Sequence, residues 1–276
     1  MFGLRWLLRR CKIWPNAYYN YRRQRKSVYH TKKSAVLCQI ETIYHEHHGV
    51  CGYRTMTAYL SRKGCHYSRQ TIHKYMNCEL KLKSLVRPKR PAYLRGKAHK
   101  VFDNRLKREF HAEKANQKWC TDFTFLYLKD QQVRYNCSII DLHDRSIVAS
   151  ITDKTISAEL AIRTLEKALR AQRIRKAENL ILHSDQGSQY TSKAFIEYCA
   201  AKGVIQSMSR AGCPYDNAPM ERYFNTLKNE CTGLYEFQTQ EELYHAVEKF
   251  AYFTYNHQRP HSYNNYQTPS EARLVG

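Results

Sequence analysis

A chain of 276 residues, 42% of them hydrophobic, is long enough for two domains or for one catalytic core with a smaller appendage, and too apolar to stay disordered. No apolar run approaches the ~18 residues that span a membrane. The stretch from Leu4 to Trp14 is broken by Arg5, Arg9, Arg10 and Lys12, so no secretory signal is expected and the reading is a soluble, cytoplasmic protein. The net charge of +22 lies wholly in residues 1–118, where 28 Lys and Arg face 6 Asp and Glu, whereas residues 119–276 hold 18 of each sign. Charge kept for solubility does not explain one basic half beside one balanced half. Such density recruits a polyanion by counterion release, and nucleic acid is the usual one.

Residues 1–30 read as a basic, aromatic helical segment, with Leu4, Leu7 and Leu8 followed by Tyr18-Tyr19-Asn20-Tyr21-Arg22-Arg23. In 31–80, Val36, Ile40, Ile43 and Tyr44 recur at helical spacing until Gly49 and Gly52. A second helix over 55–62 buries Met56, Tyr59 and Leu60 and stops at Gly64. Ser68 is placed to cap a third helix over 69–80, with Ile72, Tyr75, Met76 and Leu80 on one face. Its other face carries Arg69, Gln70, His73, Lys74 and Asn77, all hydrogen-bond donors. Short helix, glycine turn and donor-rich helix is how a helix-turn-helix meets a major groove; a three-helix module with a merely polar face is the plainer alternative, and the surrounding charge favours DNA. Of ten cysteines none is spaced C-x-x-C, so His45, His47, His48 and Cys51 are read as residues without a zinc role, and the thiols as reduced.

Residues 81–115 form a basic linker. Lys81, Lys83, Arg87, Lys89, Arg90, Arg95, Lys97 and Lys100 surround Pro88, Pro91 and Gly96, which preclude one continuous helix. From 116 to 276 the texture is that of a catalytic core. Three β-rich runs, 119–128, 133–142 and 145–151, precede a helix over 157–173, a strand over 179–183, a helix over 191–202 and a strand over 204–206, with a C-terminal helix beyond. This order predicts an α/β fold, a mixed sheet flanked by helices behind a small all-α basic domain.

Three acids stand out by position. Asp122 lies inside the first strand, where an ionised carboxylate is costly unless something positive pairs with it. Asp185 follows the buried strand ending at His183, and the carboxyl end of such a strand is where α/β sheets bind ligands. Glu221 opens a helix whose later turns hold Phe224, Leu227 and Lys228. Three carboxylates from three elements can converge on two divalent cations, and hard oxygen donors suit Mg2+ or Mn2+. Taken singly, each would be a helix cap or a surface charge.

These segments resemble those of DDE transposases and retroviral integrases, most closely the second-reading-frame (OrfB-type) transposases of two-frame bacterial insertion sequences. Asp185 and Glu221 are separated by 35 residues, the D-D-35-E spacing of that group. Asn116 to Thr124, His183 to Ser192 and Asp216 to Glu230 resemble its three acid motifs; Tyr255 to His261 with Thr268-Pro269 resembles its C-terminal end, and 31–80, with Gly52-Tyr53-Arg54, its helix-turn-helix. Phe123 and Arg222 depart mildly from the pattern. The resemblance implies an RNase H-like core, Asp122, Asp185 and Glu221 as catalytic metal ligands for two Mg2+ or Mn2+ ions, cleavage at element ends and strand transfer. It also implies DNA as partner in the nucleoid, a homo-oligomer on DNA, and fusion to or association with an upstream-frame product. Lys228, two helical turns or about 10.5 Å beyond Glu221 on the same face, would hold the terminal phosphate. His183 and Gln186 are read as positioning Asp185, contacting DNA or simply supporting the fold, Asp216-Asn217 as a cap of the Glu221 helix, and Asp141 and Asp144 as partners of Arg145. Arg259 and His261 are read as reaching phosphate or packing at the surface. The alternative function is a non-catalytic DNA-binding regulator derived from such an element.

Overall fold

A computed structural model describes residues 3–24, 26–85 and 100–275. The chain forms two compact units, Met1–Ser84 and Leu85–Gly276. Among the described residues no helix is long and apolar enough to cross a membrane.

The first unit is helical: α1 (Leu4–Arg10), α2 (Pro15–Arg22), α3 (Ser27–Glu46), α4 (Tyr53–Arg62) and α5 (Arg69–His73). Spacing of three and four residues puts Val36, Ile40 and Ile43 of α3 against Met56 and Leu60 of α4 and Ile72 and Met76 behind them, all buried. Gly64, at φ 79°, turns the chain after α4 in a conformation a side chain would resist. Ser68 caps α5 as its position predicts, its Oγ accepting the Thr71 N–H at 3.1 Å. Beyond His73 the helix widens, and Lys74–Glu79 is a π-helical stretch. Cys51 is buried in this core and His47 stacks on Tyr59 with ring centroids 4.4 Å apart.

The second unit is a five-stranded mixed sheet in the order β3-β2-β1-β4-β5. The strands are β1 (Lys118–Tyr127), β2 (Val133–Asp141), β3 (Ile147–Asp153), β4 (Ile181–Ser184) and β5 (Ile205–Met208). The first three form an antiparallel meander, and β4 and β5 add parallel to β1. Helix α6 (Ala158–Ala171) links β3 to β4, and α7 (Lys193–Lys202) links β4 to β5. They are followed by α8 (Ala218–Leu227), α9 (Gln240–Lys249) and α10 (Pro269–Val275).

Strand alternation makes two cores. Trp119 joins Leu165, Leu182 and Phe195 on one face, while Cys120 joins Met220, Tyr223 and Leu243 on the other. The expected linker 81–115 differs in its later part: Leu106 and Ala112 are buried in the second of these cores, so residues from 100 onward pack as part of the sheet unit. Arg87, Lys89, Arg90, Arg95 and Lys97, with Pro88, Pro91 and Gly96, lie outside the described residues.

Candidate active site and nucleic-acid interface

β1 is where the sheet changes sense, antiparallel to β2 on one side and parallel to β4 on the other. The carboxyl ends of strands at such a switch are where α/β sheets place ligands. Cys120 faces His183 across the parallel pair. Asp122 lies two residues beyond Cys120 in β1, and Asp185 two residues beyond His183, just past the end of β4. Both are half-buried. Asp122 Oδ1 accepts its neighbour's N–H, from Phe123, at 2.8 Å, and Asp185 Oδ1 accepts the Gly187 N–H at 2.9 Å. A Cβ on Gly187 would stand 2.9 Å from Asp185 Oδ1, so glycine leaves the room this carboxylate occupies. The buried Tyr190 hydroxyl lies in the field of both acids: burial first, then Cys137 and Asp122, with Asp185 adding, hold its pKa well above the usual range.

Glu221 is exposed in the first turn of α8, and Lys228, also exposed, directly follows that helix. The residues ahead of α8 do something other than cap it. Asn217 occupies the N-cap position but makes no side-chain capping bond. Its Nδ2 instead donates to the Thr121 carbonyl at 3.1 Å, tying the start of α8 to β1 one residue before Asp122. Asp216 is fully buried and receives Arg108 Nε at 2.6 Å, Asn104 Nδ2 at 3.0 Å and the Arg210 N–H at 3.1 Å. Burial opposes its charge, but the two arginines hold its pKa down at about 2. The expected cap is thus corrected to two tertiary ties, because partners distant in sequence outcompete the local N–H groups. Among the described residues no three His, Cys, Asp or Glu gather closely enough to hold a metal ion, so the three acids are not closed into one ligand set.

The lesser candidates resolve as follows. His183 is buried between Ser207 Oγ at 2.8 Å and Ser209 Oγ at 3.1 Å; burial lowers its pKa to about 4, and it serves the fold beneath Asp185. Gln186 Nε2 donates to the Ser209 carbonyl at 3.0 Å. Asp141 and Asp144 pair with Arg273 of α10 and not with Arg145, which donates to the Phe110 carbonyl and lies 3.9 Å over the Tyr263 ring. Arg259 makes a bidentate pair with Glu230, both bonds 2.7 Å, and His261 accepts the Tyr263 N–H at 3.2 Å.

In the helical unit Arg69, Gln70, His73 and Lys74 are exposed on one side while Ile72, Tyr75 and Met76 are buried on the other. Asn77, in the π-helical turn, is half-buried where the other four are exposed. Arg69, Gln70 and His73 line a surface depression of about 380 Å³ with Tyr53 and Arg54. Sequence reasoning had not used these last two as candidate contacts, although Tyr53-Arg54 open α4. The Tyr53 ring stands edge-on to His73 at 5.0 Å and its hydroxyl accepts Arg54 Nε at 3.2 Å.

A helical unit with a cationic face, followed by a mixed sheet that changes sense at β1, is the architecture of the integrase-core class, and the family models match it as such. The integrase core domain matches residues 112–214 and again 202–269, and an HTH-like domain matches residues 32–90. InsK of insertion sequence element IS150 from Escherichia coli K12 is 33% identical over 228 residues, 83% of this chain and 79% of that protein. The transposase for insertion sequence element IS904 from Lactococcus lactis is 30% identical over 233 residues, 84% of this chain and 91% of that one. Among solved structures, a chain of the simian T-cell lymphotropic virus intasome in complex with PP2A regulatory subunit B56 gamma is 17% identical over 85% of this chain and 74% of its own, with a TM-score of 0.48. The chain belongs to the insertion-sequence transposase family of InsK and the IS904 transposase, and that membership supports a transposase over the DNA-binding regulator.

Proposed function

We propose that this transposase cuts DNA at the ends of an insertion sequence and joins the freed ends to target DNA, using Asp122, Asp185 and Glu221 as ligands for one or two divalent cations, Mg2+ or Mn2+. What supports this reading is that Asp122 in β1 and Asp185 just past β4 belong to the two strands that pair in parallel at the sheet's switch point. The donor set fits a hard cation: it is carboxylate oxygen throughout, and Gly187 gives Asp185 its room. Bound there, such cations would polarise the phosphodiester and stabilise charge on the attacking and leaving oxygens.

The residues of the chain do the remaining work. Asp122 on β1 and Asp185 just past β4 anchor the centre, and Glu221 approaches from the first turn of α8. Lys228 supplies a cation for the phosphate flanking the reacting bond. In the first step a water oxygen attacks phosphorus and the element's 3′ oxygen leaves and takes up a proton. In the second, that 3′ hydroxyl attacks a target phosphodiester, gives up its proton, and releases a target 3′ hydroxyl. The basic helical unit docks the duplex through Arg69, Gln70, His73 and Lys74. Assembly as a homo-oligomer on DNA, with an upstream-frame product fused or bound, belongs to the same proposal.

The test is cleavage of labelled insertion-sequence ends in Mg2+, and joining of pre-cut ends, by wild type and by Asp122→Asn, Asp185→Asn and Glu221→Gln. Each variant is expected to bind DNA and to lose both reactions by at least a thousandfold, on the order of 4 kcal/mol of transition-state stabilisation. A variant that still cleaves at the wild-type rate sinks the assignment of that residue.

A further inference from the structure

Three carboxylates on three separate elements need something to set their mutual positions, and one buried residue touches all three elements. Thr121, 1% exposed, immediately precedes Asp122. Its Oγ1 donates to the Ser138 carbonyl at 3.0 Å and lies 3.1 Å from the Tyr190 hydroxyl. A threonine has one hydroxyl proton, and here it goes to Ser138, so the Tyr190 O–H is the donor of the second bond. The Thr121 carbonyl in turn accepts Asn217 Nδ2 at 3.1 Å. Tyr190 is five residues past Asp185, in the segment leading to α7, and Asn217 is four residues, about one helical turn, before Glu221.

We infer that Thr121, Tyr190 and Asn217 form a buried hydrogen-bonded hub that registers the three carboxylate-bearing elements, acting as positioning residues for the metal site. The inference rests on the reading of that site given above. Each bond joins a different pair of elements: Thr121 to Tyr190 couples β1 to the segment that begins at Asp185, and Thr121 to Asn217 couples β1 to α8. The Tyr190 ring is packed independently, 5.3 Å from Phe123 and 5.4 Å from Phe195, so its hydroxyl can be removed without emptying the core. Asn217 is itself buried, so its Nδ2 bond to the Thr121 carbonyl is shielded from water. A carboxylate held by such outer partners binds its cation in a fixed geometry, and loss of an outer partner commonly weakens metal affinity 10–100-fold.

The experiment is Mn2+ titration of the full chain followed by electron paramagnetic resonance of free Mn2+, beside thermal melting in EDTA. Tyr190→Phe, Thr121→Val and Asn217→Ala are expected to weaken Mn2+ binding about tenfold or more while melting within a few degrees of wild type. Thr121→Ser, which keeps the hydroxyl, is expected to bind as wild type does. Wild-type Mn2+ affinity in Tyr190→Phe overturns the inference, as does equal weakening in Thr121→Ser and Thr121→Val. Should Asn217→Ala fail to fold, Tyr190→Phe decides, because its ring packing is retained. Asp122→Asn separates the two levels: if it binds Mn2+ as tightly as wild type, the metal-site reading fails and the hub falls with it; if it loses binding and the hub variants do not, only the hub fails.

Discussion

Asp122 and Asp185 each stand two residues beyond a paired position of the sheet's parallel seam, Cys120 of β1 and His183 of β4, with Asp185 just past the end of its strand. Both carboxylates act on the buried Tyr190 hydroxyl, and like charges gathered at one end of a sheet are favoured when a cation lies between them. The arrangement depends on where the Asp185 carboxylate is allowed to sit.

Gly187 controls that position. In Gly187→Ala the new Cβ would lie 2.9 Å from both Asp185 Oδ1 and Gln189 Oε1, closer than a methyl group tolerates. Both obstructing atoms are side-chain ends, so the backbone can keep its path while the carboxylate is displaced. The expected outcome is a loss of end cleavage of about tenfold to a hundredfold, as misplacement by about 1 Å produces, with a melting temperature within a few degrees of wild type. Cleavage at the wild-type rate would show that Asp185 needs no such room.

Much of this architecture is legible in the amino-acid order, and the parts that are not have physical causes. The strand positions follow from β-rich runs such as Trp119 to Tyr127, and Asp122 and Asp185 stand out because a carboxylate within or just after a strand is conspicuous. Asn217 misleads: an Asx residue before a helix reads as a cap, and only the contact with Thr121, 96 residues away, shows another role. Leu106 and Ala112 are hidden in a basic stretch that reads as linker, although they enter the core. The π-helical turn after His73 leaves no compositional trace, and the half-burial of Asn77 within it is not legible from the sequence. By contrast, Thr239 and Glu242 form a capping box at α9, a purely local signal that the sequence carries openly.

The helical unit should separate affinity from specificity. Arg69 and Lys74 are exposed cations, whereas Gln70 carries no charge. Arg69→Ala is expected to weaken binding to all duplexes and to reduce the slope of log affinity against log salt by about one, as loss of a phosphate contact does. Gln70→Ala should leave that slope unchanged and flatten discrimination between end sequences. Asn77→Ala, altering a half-buried residue, should change neither. Fluorescence anisotropy from 50 to 200 mM salt, about the range over which such contacts are resolved, makes the comparison; identical slopes for Arg69→Ala and wild type would remove Arg69 from the interface.

His261 makes the core sensitive to acid. Burial first, with Arg259, Arg145 and Arg222 adding, lowers its pKa from 6.5 to about 3. As pH falls below 6.5 the unfolded chain takes up a proton that the folded chain refuses. Stability conferred by the neutral imidazole is therefore complete above pH 6.5 and is lost progressively down to about 3, at about 1.4 kcal/mol per pH unit. His261→Asn, whose amide oxygen can still accept the Tyr263 N–H, should show a flatter decline between pH 6.5 and 4.5 in urea unfolding. An unchanged slope would assign the acid sensitivity to other groups.

Arg273 bears on the same sheet from the other end of the chain. It donates to Asp141 Oδ2 at 2.5 Å and to Asp144, and its Nη1 reaches Gln172 Oε1 at 2.6 Å at the end of α6. Asp141 is 0% exposed and Asp144 1%, so neither can turn to water if the guanidinium is removed. Arg273→Met keeps the aliphatic stem and leaves two buried carboxylates unpaired, which costs about 3–5 kcal/mol at pH 7 when a buried pair is broken from one side. Burial and the neighbouring Asp144 already raise the pKa of Asp141 above its usual value in the intact protein. Without Arg273 that rise should grow, and protonation of one acid should relieve the repulsion. The deficit relative to wild type should therefore shrink as pH falls from 7 toward 5. Urea unfolding of both proteins across that range measures it. A deficit that is below about 1 kcal/mol, as for an exposed pair, or that is independent of pH would show that α10 is held by its other contacts.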